Sequence, residues 1–287
     1  MQLSLIKTRY SVFFIALLLQ ACSSSSRYSV HQDYGPASPV DVSQVKNAVP
    51  KIEPRSKYGN PSSYKVRGKV YYVLQNAQGY SQKGIASWYG NKFHGHRTSS
   101  GEIYNMYAMT AAHKTLPLPS YVRVTSLKDG KSVIVKVNDR GPFHENRIID
   151  LSYAAAKKLG VTARGTGAVE VTVIDPENFQ RTANYQPAVK RPSALATYKG
   201  TYPASSQAKA DFKLYLQVGA FSSKENAYQL RKRLSGMFKP SRIHSEFSSA
   251  QNIYRVRIGP LSGVNEADKL TTLLNNKGIS TAKIIID

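Results

Sequence analysis

The sequence predicts two modest domains, a compact mainly β barrel followed by a smaller α+β domain. Three observations carry that expectation. Short β-branched runs of alternating polarity crowd between residues 121 and 174, and a repeat with a 40-residue offset begins after residue 211. Two stretches rich in Ser, Pro and Lys precede and separate these blocks. The 287 residues, with 19 Gly and 14 Pro, therefore exceed one average domain without filling one large one.

The first block runs from 66 to 176. Residues 121–127 ("YVRVTSL") and 131–139 ("KSVIVKVND") alternate and are joined by "KDG", which predicts a β-hairpin. Residues 150–160 ("DLSYAAAKKLG") predict a short helix with Asp150 or Ser152 as N-cap and Gly160 as its stop. "GAVEVTVI" (167–174) returns as a strand. Short strands, glycine-rich turns and one or two small helices point to a compact, mainly β barrel.

The second block, 211–287, aligns with itself: "QVGAFSSKENAYQL" (217–230) matches "RIGPLSGVNEADKL" (257–270) at Gly219/Gly259, Ser222/Ser262, Ala227/Ala267 and Leu230/Leu270. In each copy a strand turns into a helix whose apolar stripe (Ala227, Leu230, Leu234; Ala267, Leu270, Leu274) follows helical spacing. With strands over 242–247 and 282–287 the order is βαββαβ, a split βαβ sheet carrying both helices on one face. Alternation turns Leu214, Leu216, Val218, Val256 and Ile258 toward the helices, and Tyr215, Gln217, Arg255 and Arg257 toward the open face.

The N-terminus has the order of an export signal over 1–21: Lys7 and Arg9, then the apolar run "VFFIALLL" (12–19), then "LQAC" (19–22). Eight apolar residues are too few to span a bilayer as a helix. The tetrapeptide resembles a bacterial lipobox, which implies acylation of Cys22, the only cysteine, and a bilayer as one partner. Ser23 after it implies sorting to the outer membrane. Residues 22–65 are expected to be a disordered tether and 177–210 a flexible linker. Forty Lys and Arg against 17 Asp and Glu, a net +23, suit a polyanion. Export excludes nucleic acid as that partner and leaves anionic headgroups and the lactyl carboxylates of peptide-free cell-wall glycan.

In "VIVKVNDRGPF" (133–143) an apolar strand climbs to Asp139 and breaks at Gly141 and Pro142. A carboxyl so placed can be desolvated by strand walls and hold a proton, with Arg140 opposing that effect; it can equally be a turn residue bonded to nearby amides. His94-x-His96 in "FHGHR" lacks a third ligand at a recognised spacing, so no metal and no cofactor are expected. Trp88 and Tyr89 in "SWYG" either stack on a sugar ring or belong to the core.

Residues 84–125 ("GIASWYGNKFHGHRTSSGEIYNMYAMTAAHKTLPLPSYVRVT") and 135–160 ("VKVNDRGPFHENRIIDLSYAAAKKLG") resemble the double-psi β-barrel of the rare lipoprotein A family. The resemblance implies a septal lytic transglycosylase that cuts peptidoglycan glycan strands, with division proteins as further partners. It carries three positions: Glu102 in "SSGE", His113 in "TAAH" and Asp139 in "VNDRG". Asp139 is then the acid and base, Glu102 a second carboxylate for positioning or charge stabilisation, and His113 a hydrogen-bond partner tuning either. Simpler alternatives are a surface pair of Glu102 with Arg97 and a half-buried structural His113. Asp150 is most simply a helix cap, although a related barrel family has a catalytic aspartate in a comparable place, which makes it the reserve candidate. The last block resembles the SPOR domain, which implies binding of peptide-free glycan on the open sheet face through Gln217, Arg255 and Arg257. The competing class is a non-catalytic wall-binding lipoprotein with an expansin-like barrel.

Overall fold

A computed structural model describes residues 33–38, 40–144, 146–179 and 212–287. The export signal, Cys22 and the expected linker from 180 onward lie outside the described residues. No helix among those described is long and apolar enough to cross a membrane.

Six strands close into a barrel: β3 (Ser81–Tyr89), β4 (Thr110–His113), β5 (Ser120–Ser126), β6 (Ser132–Asp139), β7 (Arg147–Ser152) and β8 (Gly167–Ile174). Their order around it is β3-β7-β4-β6-β5-β8. The β5–β6 hairpin and β8 lie where alternation put them, with Val122 opposite Val135 and Val124 opposite Val133. Two further neighbours, β3–β7 and β4–β6, pair in parallel, so chain segments far apart in sequence cross to complete the ladder. Closure leaves no free edge and seals an apolar interior that includes Val122, Val124, Val135, Ile149 and Leu151.

Helix α1 (Tyr153–Leu159) follows β7 directly. Ser152 is its cap, accepting the Ala155 N–H, and Gly160 ends it at φ 80°. Asp150 is therefore not a cap. It lies within β7, opposite Ser87 of β3 and Ala112 of β4.

The expected tether over 22–65 is also corrected, because residues 40–65 wrap the barrel. Val42 is buried, Ala48 N–H donates to the Ile134 carbonyl at 3.0 Å, and Ser56 N–H donates to the Leu118 carbonyl at 2.8 Å. Asp33 accepts the Gly90 and Lys92 amides at 2.7 and 3.0 Å. A two-stranded hairpin, β1 (Ser63–Val66) and β2 (Lys69–Tyr72), straddles the boundary set at 66. The segment holds on by backbone and side-chain hydrogen bonds together with Val40, Val42, Val45 and Ala48, which pack on the barrel core at irregular spacing, so no periodicity betrays it.

The second domain contains β9 (Leu214–Phe221), α2 (Lys224–Ser235), β10 (Ile243–Ser248), β11 (Ile253–Leu261), α3 (Val264–Asn276) and β12 (Lys283–Ile286). The sheet order is β10-β11-β9-β12, all antiparallel. Ala227, Leu234, Ala267 and Leu274 are buried against Leu216, Val218, Val256 and Ile258 as the alternation requires. Ile85 and Ala168 of the barrel wall pack into this same cluster. Asn146 donates beside them to Asp268 and Thr271 at 3.1 Å each.

Candidate active site and glycan-binding face

Asp139 ends β6 half-buried at one end of the barrel. Its Oδ1 accepts three hydrogen bonds, from Ser99 N–H (2.8 Å), Ser99 Oγ (2.6 Å) and its neighbour Arg140 N–H (2.8 Å). Ser99 belongs to a tight turn closed by the Gly101 amide on the Thr98 carbonyl at 3.0 Å and the Thr98 amide on the Glu102 carbonyl at 2.8 Å. This turn and Tyr58 line an open cleft of about 750 Å³ that also includes Glu102. Three donors on one oxygen fix the orientation of the carboxyl and turn the other oxygen outward from the anchor. Ser99 was not singled out from sequence, though "RTSSGE" holds the small residues such a turn needs.

Arg140 is turned away from the carboxyl it follows. Its guanidinium donates to the carbonyls of Gly59 (2.8 Å), His113 (3.2 Å) and Leu116 (2.5 Å) and to Asn60 Oδ1 (3.2 Å). Burial draws its pKa down to about 10, with Tyr64 and Asp139 opposing. It ties the wrapped segment to the barrel, and its backbone amide rather than its charge serves Asp139.

His113 is buried and touches neither Asp139 nor Glu102 with its ring. Nδ1 accepts the Thr115 and Leu116 amides at 3.1 and 3.0 Å, and Nε2 lies 3.0 Å from the Tyr80 hydroxyl. With Nδ1 accepting twice, the neutral ring carries its proton on Nε2 and donates to Tyr80, whose hydroxyl donates to Gln82 at 2.6 Å. Burial pushes its pKa down to about 3, helped by the charges of Arg140 and Lys114. The ring holds the turn whose carbonyls hold Arg140. That is a positioning role, not the tuning of a carboxylate that the sequence suggested.

Glu102 is exposed on the cleft wall and pairs with Lys136, not Arg97: Oε1 is 2.9 Å from Lys136 Nζ and Oε2 accepts Asn138 Nδ2 at 2.7 Å. Arg97 instead donates to the Gly101 carbonyl at 2.9 Å. Lys136 also meets Glu53 at 2.9 Å. Burial works against this ammonium, and its two carboxylate partners outweigh it, so its pKa is raised.

Asp150 shares a row with Asp139. Ala112 of β4 is the register partner of Asp139 on one side and of Asp150 on the other. Two strand spacings set the two backbones roughly 10 Å apart. Asp150 Oδ1 accepts the Ser87 hydroxyl, and Oδ2 faces Gly141, where a Cβ would sit 3.8 Å from it. Burial raises its pKa to about 6, against the Ser87 bond and the charges of Arg147 and Lys114. The row thus sets an Asp139 held by three hydrogen bonds beside an Asp150 whose burial favours its protonated form.

Trp88 and Tyr89 belong to the packing. Trp88 meets Tyr153 edge-on at 5.8 Å, and Tyr89 is buried and stacked on Tyr104 at 4.1 Å. His94 Nδ1 accepts the Met106 amide at 3.2 Å.

On the second domain a polar row crosses the sheet from His244 through Arg257 and Gln217 to Lys283. Gln217 and Arg257 are buried rather than solvated. Arg257 pairs with Asp287 at 2.6 Å and Glu246 at 3.3 Å, and lies 6.0 Å from the Tyr215 ring. Arg255, half-buried two residues along β11 and opposite Glu246, bonds Gln251.

A family model described as lytic transglycolase matches residues 81–172, the barrel, and the SPOR domain model matches 210–284. A protein of Pseudomonas aeruginosa named endolytic peptidoglycan transglycosylase RlpA is 43% identical over 88% of this chain and 89% of its own length. One of the same name from Vibrio cholerae is 39% identical over 96% of this chain and 95% of its own length. The chain belongs to the RlpA family. A third member, from Neisseria meningitidis, is 43% identical over 62% of this chain and 81% of its own. The six-stranded closure with its parallel β3–β7 and β4–β6 pairs is the family's double-psi barrel, and the βαββαβ unit is its SPOR domain.

Proposed function

We propose that the protein is an endolytic peptidoglycan lytic transglycosylase. It cuts the MurNAc–GlcNAc bond of peptide-poor strands at the division septum and leaves a 1,6-anhydroMurNAc end. The similarity to relatives of that name supports the reaction class, and the observation that carries it into this chain is the Asp139–Ala112–Asp150 row, whose Asp139 is held by Ser99 of the open cleft's wall. Cleavage needs a proton delivered to the bridging oxygen while positive charge grows at the anomeric carbon. Asp150, raised to about 6, suits the donor role that the sequence assigned to Asp139. The Asp139 carboxylate, held by Ser99 and the Arg140 amide, stands as the fixed negative group near the developing cation. Once deprotonated, Asp150 takes the proton of the muramic 6-hydroxyl as that oxygen attacks, so no water is required. Glu102 on the cleft wall orients substrate hydroxyls.

The SPOR domain holds the strand. The row from His244 to Lys283 offers imidazole, guanidinium, amide and ammonium donors suited to sugar hydroxyls and a lactyl carboxylate. Acylation of Cys22, supported by "LQAC", anchors the chain to the periplasmic face of the outer membrane.

Digestion of amidase-treated sacculi with residues 23–287 tests the reading. Anhydro-ended products that vanish in Asp139→Asn and Asp150→Asn variants support it. Reducing ends make the protein a hydrolase, and binding without products makes it an adhesin.

A further inference from the structure

Residues 63–72 precede the segment matched by the barrel model, which starts at 81, yet they pack on the loop that leaves Asp139. β1 and β2 join through Arg67 and Gly68, with Val66 opposite Lys69. Both turn residues have positive φ, 50° and 81°, the signature of a type I′ turn. Asn is the usual first residue of such a turn, because long L side chains adopt that conformation rarely. Here an arginine occupies it and projects a guanidinium at the tip, at a strained position of the kind that marks a functional constraint.

One face of the hairpin is anchored. Tyr64 and Tyr71 stack at 5.3 Å and both meet Phe143, at 6.2 and 5.7 Å. Phe143 lies four residues beyond Asp139, just past Gly141 and Pro142. Tyr64 donates to the Lys114 carbonyl at 2.6 Å, and its ring is 5.9 Å from the Arg140 guanidinium. The opposite face is open. Tyr72 is 71% exposed and Val70 46%, and the register sets them opposite Ser63 and Lys65, both exposed. One aromatic ring, one aliphatic side chain and one ammonium therefore share a small surface, with Arg67 in the turn at its end.

We propose that the β1–β2 hairpin is a second glycan-binding arm, on the barrel itself, with Tyr72 stacking on a sugar ring and Lys65 and Arg67 pairing with lactyl carboxylates of a peptide-free strand. The inference rests on the proposed substrate for the identity of the sugar. Charge complementarity selects the occupant: a peptide-free strand repeats a carboxylate at every muramic acid between flat, partly apolar ring faces, and the patch offers cations beside one exposed aromatic. Anchorage through Phe143 ties the arm to the loop that follows Asp139.

The test uses residues 23–287 carrying Arg255→Ala, to weaken the SPOR contribution, with and without Tyr72→Ala and Lys65→Ala. Pelleting is measured with amidase-treated sacculi and with phosphatidylglycerol vesicles, alongside the melting temperature. The arm predicts roughly tenfold weaker sacculus binding, the loss expected for one stacking contact and one ion pair, at unchanged melting and unchanged vesicle binding. Arg67→Asn separates function from folding: it relieves the turn, so melting rises while sacculus binding falls. Unchanged sacculus binding overturns the proposal, and so does a loss confined to vesicles, which assigns the arm to lipid headgroups. The readout is binding, so a wild-type chain that yields no anhydro products strikes the cleavage reading and leaves the arm's result standing.

Discussion

Replacing Asp150 by Asn removes a buried ionisation and keeps the oxygen that accepts the Ser87 hydroxyl. In the folded chain the carboxyl titrates near 6, against 3.8 for an ordinary aspartate. Below pH 4 both folded and unfolded chains hold the proton, and the substitution changes little. Between about 4 and 6 the unfolded chain releases its proton first, so wild-type stability falls as pH rises. Above 6 the native state carries the whole penalty of a desolvated charge, about 3 kcal/mol for a displacement of about two pH units at 1.36 kcal/mol each. The Asn variant escapes it, so its melting temperature exceeds the wild type's at pH 8 by on the order of 10 °C for a domain of this size, and matches it near pH 3.5. Thermal unfolding followed by near-ultraviolet circular dichroism at the two pH values measures both. The same variant is expected to release no anhydro products, the trade of stability against activity that a working site shows. Equal melting at pH 8 would refute the reasoning, because the carboxyl would then ionise as readily folded as unfolded. Retained product release would remove Asp150 as the donor.

The buried histidine separates by substitution. His113→Asn keeps an oxygen where Nδ1 accepts the two amides and is expected to retain most activity, whereas His113→Ala leaves the Thr115 and Leu116 N–H groups without an acceptor and loses about 2–6 kcal/mol by urea titration. Because its pKa is about 3, the pH–rate profile has no inflection from His113 between 5 and 8, and nitrogen-15 spectra show the Nε2–H form across that range. Gly90→Ala would set a Cβ 2.2 Å from the Tyr34 carbonyl oxygen, so the segment around Asp33 detaches and becomes sensitive to limited proteolysis while the barrel stays folded. Arg257→Met lowers sacculus pelleting by roughly tenfold, the worth of one charge-assisted contact, with no more than about 1 kcal/mol lost in stability, since its partners Glu246 and Asp287 remain exposed to water.

The sequence by itself determined the elements whose signals are local. Period-two alternation put strands at 121–127, 131–139 and 167–174, and helical spacing with its 40-residue repeat gave the βαββαβ domain and its buried stripe. Side-chain direction in strands also placed Gln217, Arg255 and Arg257 on one face. Alternation could not show that Arg257 there is already paired with Glu246 and Asp287 beside the Tyr215 ring. Tertiary structure alone raised the pKa of Asp150. Asp139 and Asp150 are eleven residues apart, and only the pairing of β4 with both β6 and β7 sets them in one row. Burial then charges Asp150 with the desolvation penalty, while donors from a turn forty residues upstream settle on Asp139. The wrapped 40–65 segment escaped notice for a related reason: hydrogen bonds to a distant backbone leave no periodic mark in the chain that makes them.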